Sequence, residues 1–154
     1  MIIAYLADHP AHLPIAARWA QGKWGHLPPG RTVEQYEAAF RTRLNRDRVP
    51  LTLVALEGEQ PLGMASIIVQ DMSTRPELTP WLAGVFVAPD QRGKGIGSAL
   101  VRAIEAKARE LEIARLYLFT PDKEHFYARL GWSPVEWTEY RTKRVLIMQK
   151  DLVK

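Results

Sequence analysis

The stretch VFVAPDQRGKGIGSAL, residues 85–100, constrains this chain more than any other part of it. An apolar, β-rich run passes through a short polar turn into glycines at 93, 95 and 97, and then into a helix-periodic segment. If Ile96 opens that helix, the amides of residues 92–97 converge at its positive end, where the first N–H groups lack intrahelical acceptors. Glycine permits positive φ and lets a bulky anion reach the backbone without meeting a Cβ. Arg92 and Lys94 add positive charge to the same turn. One or two glycines would suit any tight turn. Three at alternate positions, between a buried strand and an amphipathic helix, point to a phosphate-binding turn.

The rest of the chain supplies a frame for that unit. Ile2 to Leu6 reads as a first strand, followed by a helix over PAHLPIAARWAQGKW with Leu13, Ala16, Ala17 and Ala20 at helical spacing. Thr32 and Gln35 have capping-box spacing at the head of a second helix, whose apolar stripe is Tyr36, Phe40 and Leu44. Leu51 to Leu56 and Leu62 to Val69 form a hairpin around EGEQP, and Trp81 to Val87 is a short apolar fourth strand. The helix after the glycines turns Ile96, Leu100, Ala103, Ile104, Ala108 and Leu111 inward, with Arg102, Glu105, Arg109 and Glu112 outward. A strand at Arg115 to Phe119, a short helix from His125 to Leu130 stopped by Gly131, and strands around Val135 to Tyr140 and Val145 to Leu152 complete the chain. The order β-α-α-β-β-β-α-β-α-β-β defines an α/β domain with a mixed sheet and flanking helices.

With 154 residues, 47% of them hydrophobic and 25% charged, and with no internal repeat or linker, the expectation is one domain over residues 1–154. No apolar run is long enough for a bilayer span, and the start lacks signal-peptide features, so a cytoplasmic location without membrane contact is expected. The absence of cysteine removes disulfides, thiolate nucleophiles and the commonest zinc sites. His9, His12, His26 and His125 have no HExxH spacing, so no metal is expected. A net charge of +4 favours acidic partners without naming one.

The glycines do not fit the commonest nucleotide motifs. A P-loop requires GxxxxGK[ST], which this spacing does not supply. A dinucleotide fingerprint requires GxGxxG early in a βαβ unit and an acid some twenty residues on, where this chain has Arg115. QRGKGIG instead resembles the R-x-x-G-x-G/A signature of the GNAT superfamily of acetyl-CoA-dependent N-acyltransferases, carried here by Arg92, Gly95 and Gly97. HFYARLGW at 125–132 resembles that family's second, aromatic-rich signature, with Tyr127 four residues before Gly131. The resemblance covers nearly the whole chain. It implies central strands splayed around acetyl-CoA, a pyrophosphate on the backbone of Arg92, Gly93, Lys94, Gly95, Ile96, Gly97 and Ser98, and a pantetheine arm paired with Val85, Phe86 and Val87.

Acetyl transfer to an amine requires a neutral nucleophile, a polarised thioester carbonyl and a proton for the departing thiolate. The backbone N–H of Val87 is the candidate oxyanion donor. Tyr127 is the candidate general acid, because the resemblance sets its phenol beside the sulfur. No acid lies in TPWLAGVFV, so the base stays open between a water relay to Asp71, Glu77 or His26 and a substrate that arrives neutral. His125 reads as a surface residue, and Thr120 stands where many relatives have Asn.

Trp19, Trp24, His26, Tyr36, Phe40, Trp81 and Trp137 are candidate lining for an aromatic acceptor pocket suited to a hydrophobic or cationic amine. Arg41, Arg43, Arg46 and Arg48 read as a solvated helix face. The function read from the chain is therefore an N-acetyltransferase acting by direct attack in a ternary complex. Its acceptor is an amine-bearing small molecule or a peptide or protein N-terminus, and its state a monomer or homodimer. A non-catalytic acetyl-CoA sensor and a basic nucleic-acid-binding module are the alternatives, the latter without any recognisable binding motif.

Overall fold

Alternation of side chains along the second strand, β2 (Leu51–Glu57), decides which helix covers which face of the sheet. Leu51, Leu53 and Ala55 join the cluster under the glycine-led helix α3 (Ile96–Glu110), whereas Val54 and Leu56 face α1 (Leu13–Trp24) and α2 (Val33–Arg41). The computed structural model describes residues 1–152, so the last two positions of the expected span 1–154 lie outside the described residues.

The remaining strands are β1 (Ile2–Tyr5), β3 (Gln60–Ile68), β4 (Trp81–Val87), β5 (Arg115–Thr120), β6 (Ser133–Tyr140) and β7 (Lys143–Asp151), and a fourth helix α4 spans Glu124–Arg129. They form one mixed sheet in the order β1-β2-β3-β4-β5-β7-β6. All pairings are antiparallel except β4 with β5. Element order and fold class agree with the sequence reading. The first helix is preceded by 3₁₀ turns at Leu6–Asp8 and Pro10–His12, and the capping box forms in both directions, with Thr32 N to Gln35 Oε1 at 2.8 Å and Gln35 N to Thr32 Oγ1 at 3.1 Å.

The parallel pair carries the feature that matters for function. Its register is a single pairing, Trp81 with Tyr117, after which the two strands part. The cause lies on the other side of β4. Met64 pairs with Phe86 and Ser66 with Ala83, so Gly84 and Val85 together oppose Ala65. Gly84 takes φ +63°, a left-handed conformation that residues with a Cβ adopt at a cost. A glycine-led bulge of this kind bends its strand and sharpens the local twist. It turns the distal half of β4 away from β5.

Helix α3 is held by Ile96, Leu100, Val101, Ile104 and Ala108, each at most 6% exposed. Full burial of each large apolar side chain contributes about 1.5–3 kcal/mol, which anchors the helix start against the sheet. Glu105, expected on the outer face, is instead 3% exposed. Its carboxylate accepts from Trp132 Nε1 at 3.1 Å and Lys150 Nζ at 2.7 Å, partners from the far end of the chain that compensate the burial.

Candidate active site

The glycine turn and the parted strands meet at one end of the sheet. Gly93 (φ +79°) and Gly95 (φ +82°) both adopt left-handed backbone, and Gly95 is the N-cap of α3. A Cβ built on either would meet no protein atom within 4 Å, so the turn faces open space. The first helical N–H bonded within the helix is that of Ala99, to Gly95 O at 3.0 Å, which leaves the amides of Ile96, Gly97 and Ser98 directed out of the helix end. Gly97 lies where a Cβ would touch Phe126 and Val87 at 3.6 and 3.7 Å, binding the first turn to α4 and β4. Exposed Arg92 and Lys94 flank the turn. The Lys94 ammonium donates to Gln91 Oε1 at 3.2 Å.

Beside this cradle runs the free edge of β4. Ala88 N–H donates to Leu62 O on β3 at 2.9 Å, so ladder alternation turns the Val87 N–H toward β5, where no strand is paired. The Val87 carbonyl faces the same way and accepts from Arg92 Nε at 3.0 Å. Phe86 is oriented oppositely. Its ring stacks with Trp19 of α1 at a centroid distance of 5.2 Å, and the Arg92 guanidinium lies 5.6 Å from it. A turn whose glycines leave its amides open to an anion lies next to an unpaired strand edge able to pair with an extended arm.

The gap between β4 and β5 opens into a cavity of ≈ 340 Å³. Leu82, Ala83, Gly84 and Val85 form one wall, Leu118 to Lys123 another, and Tyr127 lies between them. Tyr127 is 8% exposed, with its ring edge-on to Phe126 at 5.0 Å and Trp132 at 6.2 Å. Burial, reinforced by Asp122, pushes its phenol well above the ordinary value, so it keeps its proton at neutral pH. Thr120 lines the cavity too, and its Oγ1 accepts from Lys123 N at 2.9 Å, organising the approach to α4.

The cavity is strongly charged, and Arg31, Arg43 and Arg141 gather around Asp71 at its acceptor end. Lys23, Arg31, Arg43, Lys123, Arg141 and Lys143 line it against Asp71 and Asp122. Burial pushes the Asp71 carboxyl up to about 6, although Arg43, Arg141 and Arg31 all pull the other way. Lys23 is crowded by burial and by Arg92, which lowers its ammonium.

Of the groups considered for a base, Asp71 and His26 line this cavity with Tyr127, while Glu77 is exposed and does not line it. Trp24, Tyr36 and Phe40 contribute to the lining. Trp81 is fully buried core, and Trp137 is exposed on β6 under Arg144 at 4.1 Å, so neither belongs to the pocket. His125 is 86% exposed, beside Glu124. The arginine run divides: Arg41, Arg46 and Arg48 are exposed, with Arg46 paired to Asp8, whereas Arg43 turns into the cavity. Sequence reasoning missed Lys23, Arg31 and Arg141, which carry no motif. It also missed Gly84, whose position inside an apolar strand is the usual mark of a bulge.

Comparison with known proteins gives the family and the fold. The acetyltransferase (GNAT) family matches residues 15–132, and the chain belongs to that family. It is 32% identical over 106 residues to N-alpha-acetyltransferase 80 of Mus musculus, covering 64% of this chain and 34% of that protein. It thus spans about a third of that relative's length. Among solved structures, aminoglycoside 6'-N-acetyltransferase complexed with coenzyme A superimposes with a TM-score of 0.76 at 18% identity, covering 100% of this chain and 98% of the other. Ribosomal-protein-alanine N-acetyltransferase of Brucella melitensis gives 0.71 at 24% identity, covering 98% and 99%. Among the described residues no group of histidines and carboxylates is placed to hold a metal, and no helix is long and apolar enough to cross a membrane.

Proposed function

We propose that this chain is an N-acetyltransferase that moves an acetyl group from acetyl-CoA to a primary amine by direct attack in a ternary complex. The observation that carries the reading is the opening of one cavity onto both the parted β4 edge and a pair of proton-handling groups, Tyr127 and Asp71. Acetyl-CoA would supply the thioester, whose carbonyl carbon gains the amine nitrogen as the C–S bond breaks. The amides of Gly93 to Ser98, with Arg92 and Lys94, would hold the diphosphate, and the edge from Val85 to Val87 would hold the pantetheine arm. The Val87 N–H would donate to the developing oxyanion.

Asp71 is suited to take the proton lost by the amine, because a carboxyl displaced to about 6 is mostly ionised at pH 7.5 and remains basic enough to accept one. Tyr127 holds the proton that the departing sulfur requires. With no cysteine in the chain to carry an acyl group, direct transfer is the simpler course. The presence of both proton-handling groups favours an enzyme over a passive acetyl-CoA sensor.

The test is release of free thiol from acetyl-CoA with a panel of amines, together with calorimetry of CoA binding. Amine-dependent thiol release is expected. CoA binding without turnover of any amine would leave the sensor reading in its place.

A further inference from the structure

The acceptor end of the cavity holds a charge pattern that catalysis does not require. Arg43 is half-buried just beyond α2, with its guanidinium 4.7 Å from the Phe40 ring. Its side-chain hydrogen bond is a long one, from Nη1 to Ser66 Oγ at 3.4 Å, and that hydroxyl is already engaged with Thr52 Oγ1 at 2.7 Å. Among the described residues it forms no ion pair. Asp71 influences it from further away. None of its nitrogens is sealed from the cavity without a partner, so its free donors face the open space there, and their planar fork matches a carboxylate.

Its neighbours are committed differently. Arg141 donates to Pro28 O at 2.7 Å and Leu27 O at 2.9 Å, fastening the β6–β7 turn over the loop between α1 and α2. Arg31 is exposed and stacks over Tyr36 at 4.8 Å. Around Asp71, a carboxylate for an amine, the guanidinium that is both half-buried and without an ion pair is Arg43, which leaves it for an anion. The surplus of cations repels polyamines and aminoglycosides, whatever the aromatic lining offers them.

Taking the acetyltransferase reading as its basis, we infer that the acceptor carries a carboxylate close to its reacting amine, with Arg43 binding the carboxylate while Asp71 receives the amine. A free amino acid and a peptide beginning with an acidic residue share this chemistry.

The experiment compares kcat/KM for matched acceptors: alanine against alaninamide, and Glu-Ala-Ala-amide against Gln-Ala-Ala-amide, with spermidine and kanamycin as cationic acceptors. At least one acid should exceed its amide by about 10- to 100-fold, the scale of one charge-assisted contact. The pair that shows the preference identifies the source of the carboxylate. Arg43→Met should erase the preference and Arg43→Lys retain part of it, with acetyl-CoA affinity as the folding control. Amides used as well as acids, a preference that survives Arg43→Met, or failure of both acids, would overturn the inference. Turnover of spermidine or kanamycin alone would do so while leaving the acetyltransferase reading intact.

Discussion

Lys150, partly exposed, pairs with the buried Glu105 at 2.7 Å, and the same ammonium donates to the Leu130 carbonyl at 2.6 Å, at the end of α4. The pair joins β7, α3 and the turn behind Tyr127. Gly131 (φ +92°) lies so close that a Cβ there would come within 3.3 Å of the Lys150 ammonium. Removing Lys150 leaves the buried Glu105 carboxylate with Trp132 Nε1 and, at 4.0 Å, Arg109, so the loss is that of one charge-assisted hydrogen bond, about 1.5–3 kcal/mol. Lys150→Met should therefore lower stability in urea unfolding by about that amount. Glu105→Gln, which keeps an acceptor for Trp132 Nε1, should cost less. Equal stability of Lys150→Met and the parent would show that the pair contributes nothing net.

The second prediction concerns the anion cradle. Gly95→Asp places a carboxylate where the diphosphate would lie and forces a Cβ into left-handed backbone, so CoA binding should disappear in calorimetry. Gly95→Ala adds no charge and meets no protein atom, so a weaker loss is expected. Arg92→Ala and Lys94→Ala should weaken binding by an amount that shrinks with added salt, because both charges are exposed and screened. Undiminished CoA affinity in a folded Gly95→Asp protein would place the cofactor elsewhere.

These expectations trace back to what could be read from the chain. The glycine turn was legible because φ and Cβ constraints act locally, and the α3 stripe was legible because helical periodicity is local too. Glu105 was misplaced by that same periodicity: its partners Trp132 and Lys150 are 27 and 45 residues away, and no local pattern reveals a compensating ion pair. Arg43 was read with its neighbours as a solvated run, although only its position at the end of α2 directs it inward. Asp71 stood in the sequence as one of three groups for a relay. The meeting of β3's end with α2 and the β6–β7 turn, a long-range event, sets it among arginines.

Tyr127→Phe separates acid catalysis from packing. The change keeps the ring against Phe126 and Trp132 and removes one hydroxyl, so melting temperature and CoA affinity should hardly move. If the phenol protonates the departing thiolate, kcat should fall by about 10²-fold or more with the best amine. Full activity in the folded variant would reduce Tyr127 to a core residue.

Asp71→Asn tests the base through two observables that should move in opposite directions. Burial raises the Asp71 carboxyl from an ordinary 3.8 to about 6. Between those values the folded protein holds a proton that the unfolded chain has released, so ionisation of this group subtracts stability as pH rises from about 4 to about 6. At pH 7.5 the parent bears the whole of that cost, on the order of 1–3 kcal/mol for a shift of this size. Asparagine cannot ionise and nearly reproduces the neutral carboxyl. The variant should therefore melt higher than the parent at pH 7.5, and the difference should close as both are taken toward pH 4. Activity should respond the other way. A carboxylate that accepts the amine's proton gives kcat/KM an acidic limb near pH 6, and Asn should lower the plateau by about 10²-fold or more and remove that limb. An Asn variant that is less stable at pH 7.5 would mean that the arginines around Asp71 outweigh its desolvation. One that keeps the parent's pH profile would move the base to another group.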